Sequence, residues 1–116
     1  MIGLVGGHVE PLVGPGIFES TARREALEET GLDLTGVPLH YLSSDLYLGS
    51  ADQPVLTVTY AGELPTGPEP RVADPDELSA VGWWTVADLL TVDNCSPWVP
   101  PLLVAAGELL DAVSRR

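Results

Sequence analysis

Cysteine and long apolar runs are both scarce in the sequence, and each shortage excludes a class of protein. The single cysteine, Cys95, excludes an intramolecular disulfide and a zinc site built from several thiolates, and it favours a reducing compartment. No stretch approaches the roughly 18 uninterrupted apolar residues of a membrane-spanning helix. The first seven residues also lack the basic segment of a signal peptide. We therefore expect a cytoplasmic protein that is neither secreted nor inserted into a membrane.

Basic residues are few as well. Five Lys and Arg residues stand against seventeen Asp and Glu residues, which gives a formal net charge of −12 at pH 7. Such a chain repels polyanions, so bulk nucleic acid and anionic membranes are excluded as partners held mainly through phosphate contacts. A phosphate-bearing ligand would need a cation to mediate its binding.

The composition otherwise describes an ordinary globular domain. The chain has 116 residues, of which 45% are apolar and 19% are charged. This length suits one domain spanning residues 1–116, with enough apolar material to form a core and no signature of disorder.

The pattern of apolar residues predicts several short elements joined by Gly- and Pro-rich turns. The segment 19–30, ESTARREALEET, is dense in strong helix formers, with Ser20 as the N-cap and Gly31 as the residue that ends the helix. Strands are predicted at 2–9, 39–48, 55–63 and 80–84, a loop at 62–76, a helical turn at 86–90 and a closing helix at 102–113. Strands that flank an early helix and precede a late one imply a mixed α/β sandwich.

Three carboxylates share one face of the predicted early helix. Glu25, Glu28 and Glu29 are spaced i, i+3 and i+4, within about one turn. Their mutual repulsion requires compensating cations, of which Arg23 and Arg24 supply two, and a hard divalent cation such as Mg²⁺ or Mn²⁺ is the natural third. The same spacing also fits a solvated acidic helix face, which is the commoner meaning of such a pattern.

The residues around these carboxylates match a known motif. Residues 24–32, REALEETGL, resemble position for position the REUxEExGU half of the Nudix box, in which U is aliphatic. Residues 6–11, GGHVEP, resemble the GGxxEP segment that precedes the box in the Nudix hydrolase family. Further on, Glu77 lies six positions before Trp83 in DELSAVGWWTVADLL, an arrangement that is also similar to the family. The resemblance covers about residues 6–90.

The sequence departs from the family pattern ahead of Arg24. The full pattern is G-x5-E-x7-REUxEExGU, and its spacing places Gly16 where the first Glu belongs and Glu10 where the Gly belongs. About three additional residues between Pro11 and Glu19 account for the shift, with Glu19 as a partial substitute for the first Glu.

The resemblance implies a chemical role for each matching acid. Glu28 and Glu29 would be catalytic and would be the first metal ligands, with Glu25 as the third. Glu77 would be an additional ligand or the base that takes a proton from water. Its other interpretation is an ordinary solvated loop acid. Arg24 would orient the carboxylates.

The resemblance also implies roles for residues outside the acidic face. Gly7 and Glu10 would lie in the segment that binds substrate, and Gly31 would stop the helix in a left-handed conformation. The implied fold is an α/β/α sandwich with a mixed sheet, whose first strands normally precede the GG segment. Because the sequence starts almost at that segment, the sheet lacks those strands, is completed by another subunit, or belongs to a chain that begins late. An unpaired sheet edge favours a homodimer.

The activity implied by the family is hydrolysis of the pyrophosphate bond in a nucleoside diphosphate linked to another group, with Mg²⁺ or Mn²⁺ as the cofactor. The alternative is a catalytically inactive Nudix-like module that binds a nucleotide or a protein, which Gly16 and the absent strands favour. A third interpretation is an acidic interaction domain that carries the helix motif by coincidence. The sequence does not choose among individual nucleotide substrates.

Overall fold

The computed structural model describes residues 3–9, 14–65, 67, 69–76, 78, 80–83 and 85–115. Its regular elements follow the order α1 (Ile17–Thr30), β1 (His40–Leu48), β2 (Pro54–Ala61), α2 (Val86–Leu89) and α3 (Val99–Ser114). A single turn of 3-10 helix, Ser50–Asp52, lies between the two strands. The described part of the chain is therefore a mixed α+β arrangement.

Helix α1 starts earlier than its sequence suggests and ends where the sequence predicts. Gly16 is the N-cap, with φ 72° and no side-chain cap, and its carbonyl accepts a hydrogen bond from the Ser20 amide at 2.9 Å. The prediction of Ser20 as the N-cap is therefore wrong, because Ser20 already lies inside the helix. Gly31 ends α1 in the left-handed conformation, with φ 74°, and its amide donates to the Leu27 carbonyl. This confirms the predicted stop.

Strands β1 and β2 form an antiparallel hairpin close to the two predicted central strands. Leu46 lies opposite Leu56, and Tyr41 lies opposite Tyr60, with a register shift between Tyr41 and Ser43. Such a bulge bends a strand and increases its local twist. Tyr41 and Tyr60 lie on the far side of this bulge from the hairpin turn.

The second half of the chain contains the two predicted late helices. Thr85 caps α2, since its side chain accepts a hydrogen bond from the Asp88 amide at 3.0 Å. Helix α3 begins at Val99, with Pro100 and Pro101 in its first turn. Proline is tolerated there because the amides of the first turn form no hydrogen bond within the helix. Both helices are confirmed, and α3 begins earlier than predicted.

Two predicted strands are wrong for the residues that the structure describes. Residues 3–9 and 80–83 have no regular secondary structure, because neither segment pairs with a neighbouring strand. Among the described residues, the sheet therefore consists of β1 and β2 alone, in antiparallel pairing. The mixed sheet implied by the resemblance is not seen in this part of the chain. The segment 62–76 has no regular element among its described residues, as predicted.

The described residues bury less apolar material than the composition suggests. The buried apolar side chains are Ala26, Val37, Ala61, Leu89 and Val99. Large apolar side chains remain exposed at the outer end of the hairpin, including Leu46, Leu48 and Leu56. None of the helices in the described ranges is long and apolar enough to cross a membrane.

Candidate active site on helix α1

The three motif carboxylates lie in the second half of α1, and their environments differ. The Glu25 side chain is 16% exposed and the Glu28 side chain is 57% exposed. Glu29 is buried, at 7% of its full accessibility. Of the three carboxylates, Glu28 is thus the one that is open to solvent.

Arg24 connects two of these carboxylates. Its Nη2 donates a hydrogen bond to Glu25 Oε1 at 3.0 Å, and its Nε lies 3.7 Å from Glu28 Oε1, across one turn of the helix. Nη2 also contacts the His8 carbonyl at 3.4 Å. A planar guanidinium that reaches two carboxylates limits their rotation and offsets part of their repulsion. These contacts suit the orienting role that the resemblance implies for Arg24.

The glycine-rich segment before α1 lies directly against Glu25. A Cβ added at Gly7 would stand 2.5 Å from Glu25 Oε1 and 2.7 Å from Oε2, so only glycine permits this approach without a rearrangement. By contrast, a Cβ at Gly6 would meet nothing within 4 Å. Gly7 is therefore the residue through which the GG segment and the acidic face of α1 come together.

The electrostatics of the helix work against the clustered acids. Glu28 and Glu29 lie in the last turn of α1, which contains no basic residue, so both carboxylates are near the negative end of the helix dipole. Like charges spaced i, i+3 and i+4 add to this unfavourable energy. The contacts of Arg24 with Glu25 and Glu28 act against that repulsion.

Oxygen donors of this kind suit a hard divalent cation. In the described ranges, however, no three acidic, histidine or cysteine side chains are grouped closely enough to hold a metal ion. The structure brings Glu25 and Glu28 together through Arg24, while Glu29 is buried at the end of the same helix. The joint ligand role of Glu25, Glu28 and Glu29 thus stays a prediction.

Part of the loop after β2 is hydrogen-bonded to the end of α1. The Arg71 amide donates to the Thr30 carbonyl at 2.9 Å, and the Ala73 amide donates to the Glu29 carbonyl at 2.9 Å. These two carbonyls lie in the last turn, where a helix has no amides of its own to pair with them. We call residues 71–73 the latch. It fixes the path of the loop beside the motif carboxylates.

Glu19 occupies a different environment from the other acids. The Tyr60 hydroxyl on β2 donates a short hydrogen bond to Glu19 Oε1. Burial, and then the hydrogen bond and the negative charge of Glu19, raise the pKa of Tyr60 to about 12. The Glu19 carboxylate is thus engaged with the hairpin. Its assignment as a partial substitute for the first motif Glu has no support from this contact.

Gly16 stands at the motif position that normally carries a glutamate. It lies one residue before α1, with φ 72°, a conformation in which a side chain would be strained. This position therefore supplies backbone geometry to the start of the helix and no carboxylate.

Two predicted site residues, Glu10 and Glu77, lie outside the residues that the structure describes, and so does Pro11. Their assignments as substrate-binding, metal-binding or catalytic residues stay predictions.

The sequence did not single out Tyr60 or Arg71. No motif marks Tyr60, since its contact with Glu19 spans 41 positions. One feature of the sequence could have drawn attention to Arg71, since it is one of only five basic residues in the chain.

Comparison with known proteins places the chain in a family. A family model described as the NUDIX domain matches residues 1–103. No curated protein matches the chain, and neither does any solved structure. The matched span includes the Gly7 contact, all of α1 and the latch, which together form the candidate site. The chain therefore belongs to the NUDIX domain family.

Proposed function

We propose that the protein is a divalent-metal-dependent hydrolase that cleaves the pyrophosphate bond of a nucleoside diphosphate linked to another group. Family membership supports a hydrolase of nucleotide-type substrates in general terms. The observation that carries the more specific proposal is the arrangement of Glu25 and Glu28 around Arg24, with Gly7 against the Glu25 carboxylate. A solvated acidic helix face needs neither contact.

The chain's own residues supply orientation and proton transfer in this proposal. Arg24 holds the Glu25 and Glu28 carboxylates on one side of α1, so they need little rearrangement when a ligand arrives. Water attacks a phosphorus atom, the bridging P–O bond breaks, and the proton from water passes to a carboxylate of α1 or to Glu77. The products are a nucleoside monophosphate and the phosphorylated second group.

Glu25, Glu28 and Glu29 are the residues that would hold Mg²⁺ or Mn²⁺. When bound, such a cation would neutralise pyrophosphate oxygens and make phosphorus more open to attack. This also accounts for an acidic protein with a phosphate-bearing substrate, because no basic surface is then required. We further propose a cytoplasmic location, which rests on the single cysteine of the sequence.

The test compares the parent chain with Glu29→Gln and with the control Glu108→Gln, an exposed acid on α3. Nucleoside monophosphate release from a panel of nucleoside diphosphate derivatives is measured with and without Mg²⁺ and Mn²⁺. We expect metal-dependent release by the parent and by Glu108→Gln, and its loss in Glu29→Gln with an unchanged circular dichroism spectrum. Equal rates in the parent and Glu29→Gln would remove Glu29 from the site.

A catalytically inactive binding module is the second candidate function. It is favoured by Gly16, which supplies no carboxylate at the first motif position, and by the engagement of Glu19 with Tyr60. This candidate predicts binding of a nucleoside diphosphate sugar, measured by calorimetry, with no hydrolysis during long incubation with metal. Turnover by the parent chain rejects it.

We also propose that the protein forms a homodimer with the family's sandwich fold. Support comes from the hairpin, where Leu46 and Leu56 lie opposite each other, are 71% and 62% exposed, and share a face with exposed Leu48. Light scattering after size exclusion should give a dimer for the parent and a monomer for Leu46→Lys. A monomeric parent at micromolar concentration would reject the dimer.

A further inference from the structure

All five basic residues of the chain are arginines, and the described ones differ in what they contact. Arg23 donates hydrogen bonds to the Leu34 and Val37 carbonyls, the second at 2.8 Å. Arg24 contacts Glu25 and Glu28. The side chain of Arg71 has no hydrogen bond or ion pair within the described part of the chain. Arg71 is therefore the arginine near α1 whose guanidinium is available to a ligand.

The backbone of Arg71 is held in position, and its side chain lies beside the end of α1. Its amide is bonded to the Thr30 carbonyl, as part of the latch. Its side chain passes so close to Gly31 that a Cβ there would stand 2.8 Å from Arg71 Nε and 3.3 Å from Cζ. Because Gly31 has no side chain, the Arg71 side chain can cross the end of α1 at this distance. This places its guanidinium beside Gly31, two residues beyond Glu29.

The charge at this end of α1 makes an available guanidinium significant. A pyrophosphate group brings several negative charges toward Glu28 and Glu29, and one divalent cation does not offset all of them. A guanidinium binds phosphate oxygens in a bidentate manner. Arg71 places such a group at the end of α1 that carries Glu28 and Glu29.

We propose that Arg71 is a substrate-binding residue, whose guanidinium binds a phosphate oxygen of the pyrophosphate group beside the carboxylates of α1. This inference rests on the proposed hydrolase function and extends it to the loop after β2. A purely structural role is the competing explanation, since a cation near the C-terminus of a helix also stabilises the helix dipole. The two roles differ in what a substitution changes.

The experiment measures binding and turnover separately. Binding of inorganic pyrophosphate at saturating Mg²⁺ is measured by calorimetry for the parent, Arg71→Gln, Arg71→Lys and the control Arg115→Gln, which alters the residue that follows α3. The KM and kcat for the best nucleoside diphosphate derivative and the melting temperature are measured for the same four proteins.

We expect Arg71→Gln to weaken pyrophosphate binding and raise KM by about tenfold, as for one lost charged hydrogen bond. Its melting temperature and kcat should change little, Arg71→Lys should recover part of the affinity, and Arg115→Gln should match the parent. Unchanged binding in Arg71→Gln, with or without a lower melting temperature, would overturn the proposal, as would a parent that binds no pyrophosphate.

The result that would reject the hydrolase function differs from the result that would reject the role of Arg71. A parent chain that binds pyrophosphate but releases no product from any derivative would reject the hydrolase. The difference in binding between the parent and Arg71→Gln would still decide the role of Arg71.

Discussion

The Tyr60 hydroxyl donates a hydrogen bond to the carboxylate of Glu19, and this contact joins β2 to the first turn of α1. It is a specific polar link between the hairpin and the helix that carries the motif acids. The described residues bury few large apolar side chains. Polar contacts such as this one are therefore important for the position of α1.

Tyr60→Phe should lower the free energy of unfolding by about 1 kcal/mol, because a carboxylate loses a hydrogen-bond donor in a partly buried position. Urea denaturation at pH 7 measures this change. Tyr47→Phe, at an exposed position on β1, is the matched control and should leave the unfolding free energy unchanged. An equal loss in both variants would mean that the Glu19 contact contributes nothing.

The pH dependence of the same contact has a definite sign. The pKa of Tyr60 is raised from its usual 10 to about 12, so folding favours the protonated phenol. The stabilisation is complete below pH 10 and is lost as the pH rises through about 12. In an absorbance titration at 295 nm, the parent should show a tyrosinate step near pH 12 that is absent in Tyr60→Phe. A parent without that late step would contradict the raised pKa.

Gly7→Ala tests the contact between the GG segment and the acidic face. The new methyl group would collide with the Glu25 carboxylate and displace it, so we expect Mg²⁺ affinity to fall about tenfold. Gly6→Ala is the control, because its methyl group meets nothing within 4 Å and neither glycine has a positive φ. Calorimetric titration with Mg²⁺ compares the two variants. Equal affinities would separate Glu25 from the proposed metal site.

Gly31→Ala tests the packing of Arg71 against the end of α1. Gly31 and Gly36 both have positive φ, 74° and 78°, so alanine at either position costs about 1 to 2 kcal/mol in backbone strain. Only at Gly31 does the methyl group also meet Arg71, at 2.8 Å from Nε. Gly31→Ala should therefore destabilise the protein more than Gly36→Ala in urea, and Arg71→Ala should remove that excess. If Gly31→Ala still destabilised the protein more than Gly36→Ala when combined with Arg71→Ala, contact with Arg71 would not be the cause.

Arg23→Met should destabilise the protein by about 2 kcal/mol. The guanidinium supplies the Leu34 and Val37 carbonyls with charged hydrogen bonds that methionine cannot replace. These carbonyls lie in the connection between α1 and β1, so its amides should also exchange faster with solvent hydrogen. The control, Arg115→Met, should leave both the unfolding free energy and the exchange unchanged. Unaltered exchange in Arg23→Met would show that the connection holds without the arginine.

Local chemistry made much of α1 predictable from the sequence. Strong helix formers fill residues 19–30, and Gly31 supplies the left-handed stop that α1 requires. The start was misplaced because Ser20 is a good N-cap by type, yet Gly16 lies in the conformation that begins the helix. Residue preference at a helix start does not reveal which residue adopts the non-helical backbone.

The non-local part of the site could not be predicted from residue patterns. The latch joins Arg71 and Ala73 to carbonyls more than 40 positions earlier, and backbone bonds of this kind leave no mark in side-chain chemistry. The same limit explains why the strand predictions are wrong over residues 3–9 and 80–83, since a strand depends on a partner as well as on its own residues. The motif spacing around Arg24, by contrast, falls within two turns of one helix and was visible directly.

The latch also divides the loop after β2 into two parts with different tolerance to change. Residues 62–70 connect the end of β2 to a fixed point, so an insertion there lengthens this connection at a small entropic cost. An insertion between Arg71 and Ala73 would break the register of two amides with the last turn of α1. A change in the length of the first part therefore leaves both hydrogen bonds at the end of α1 in place.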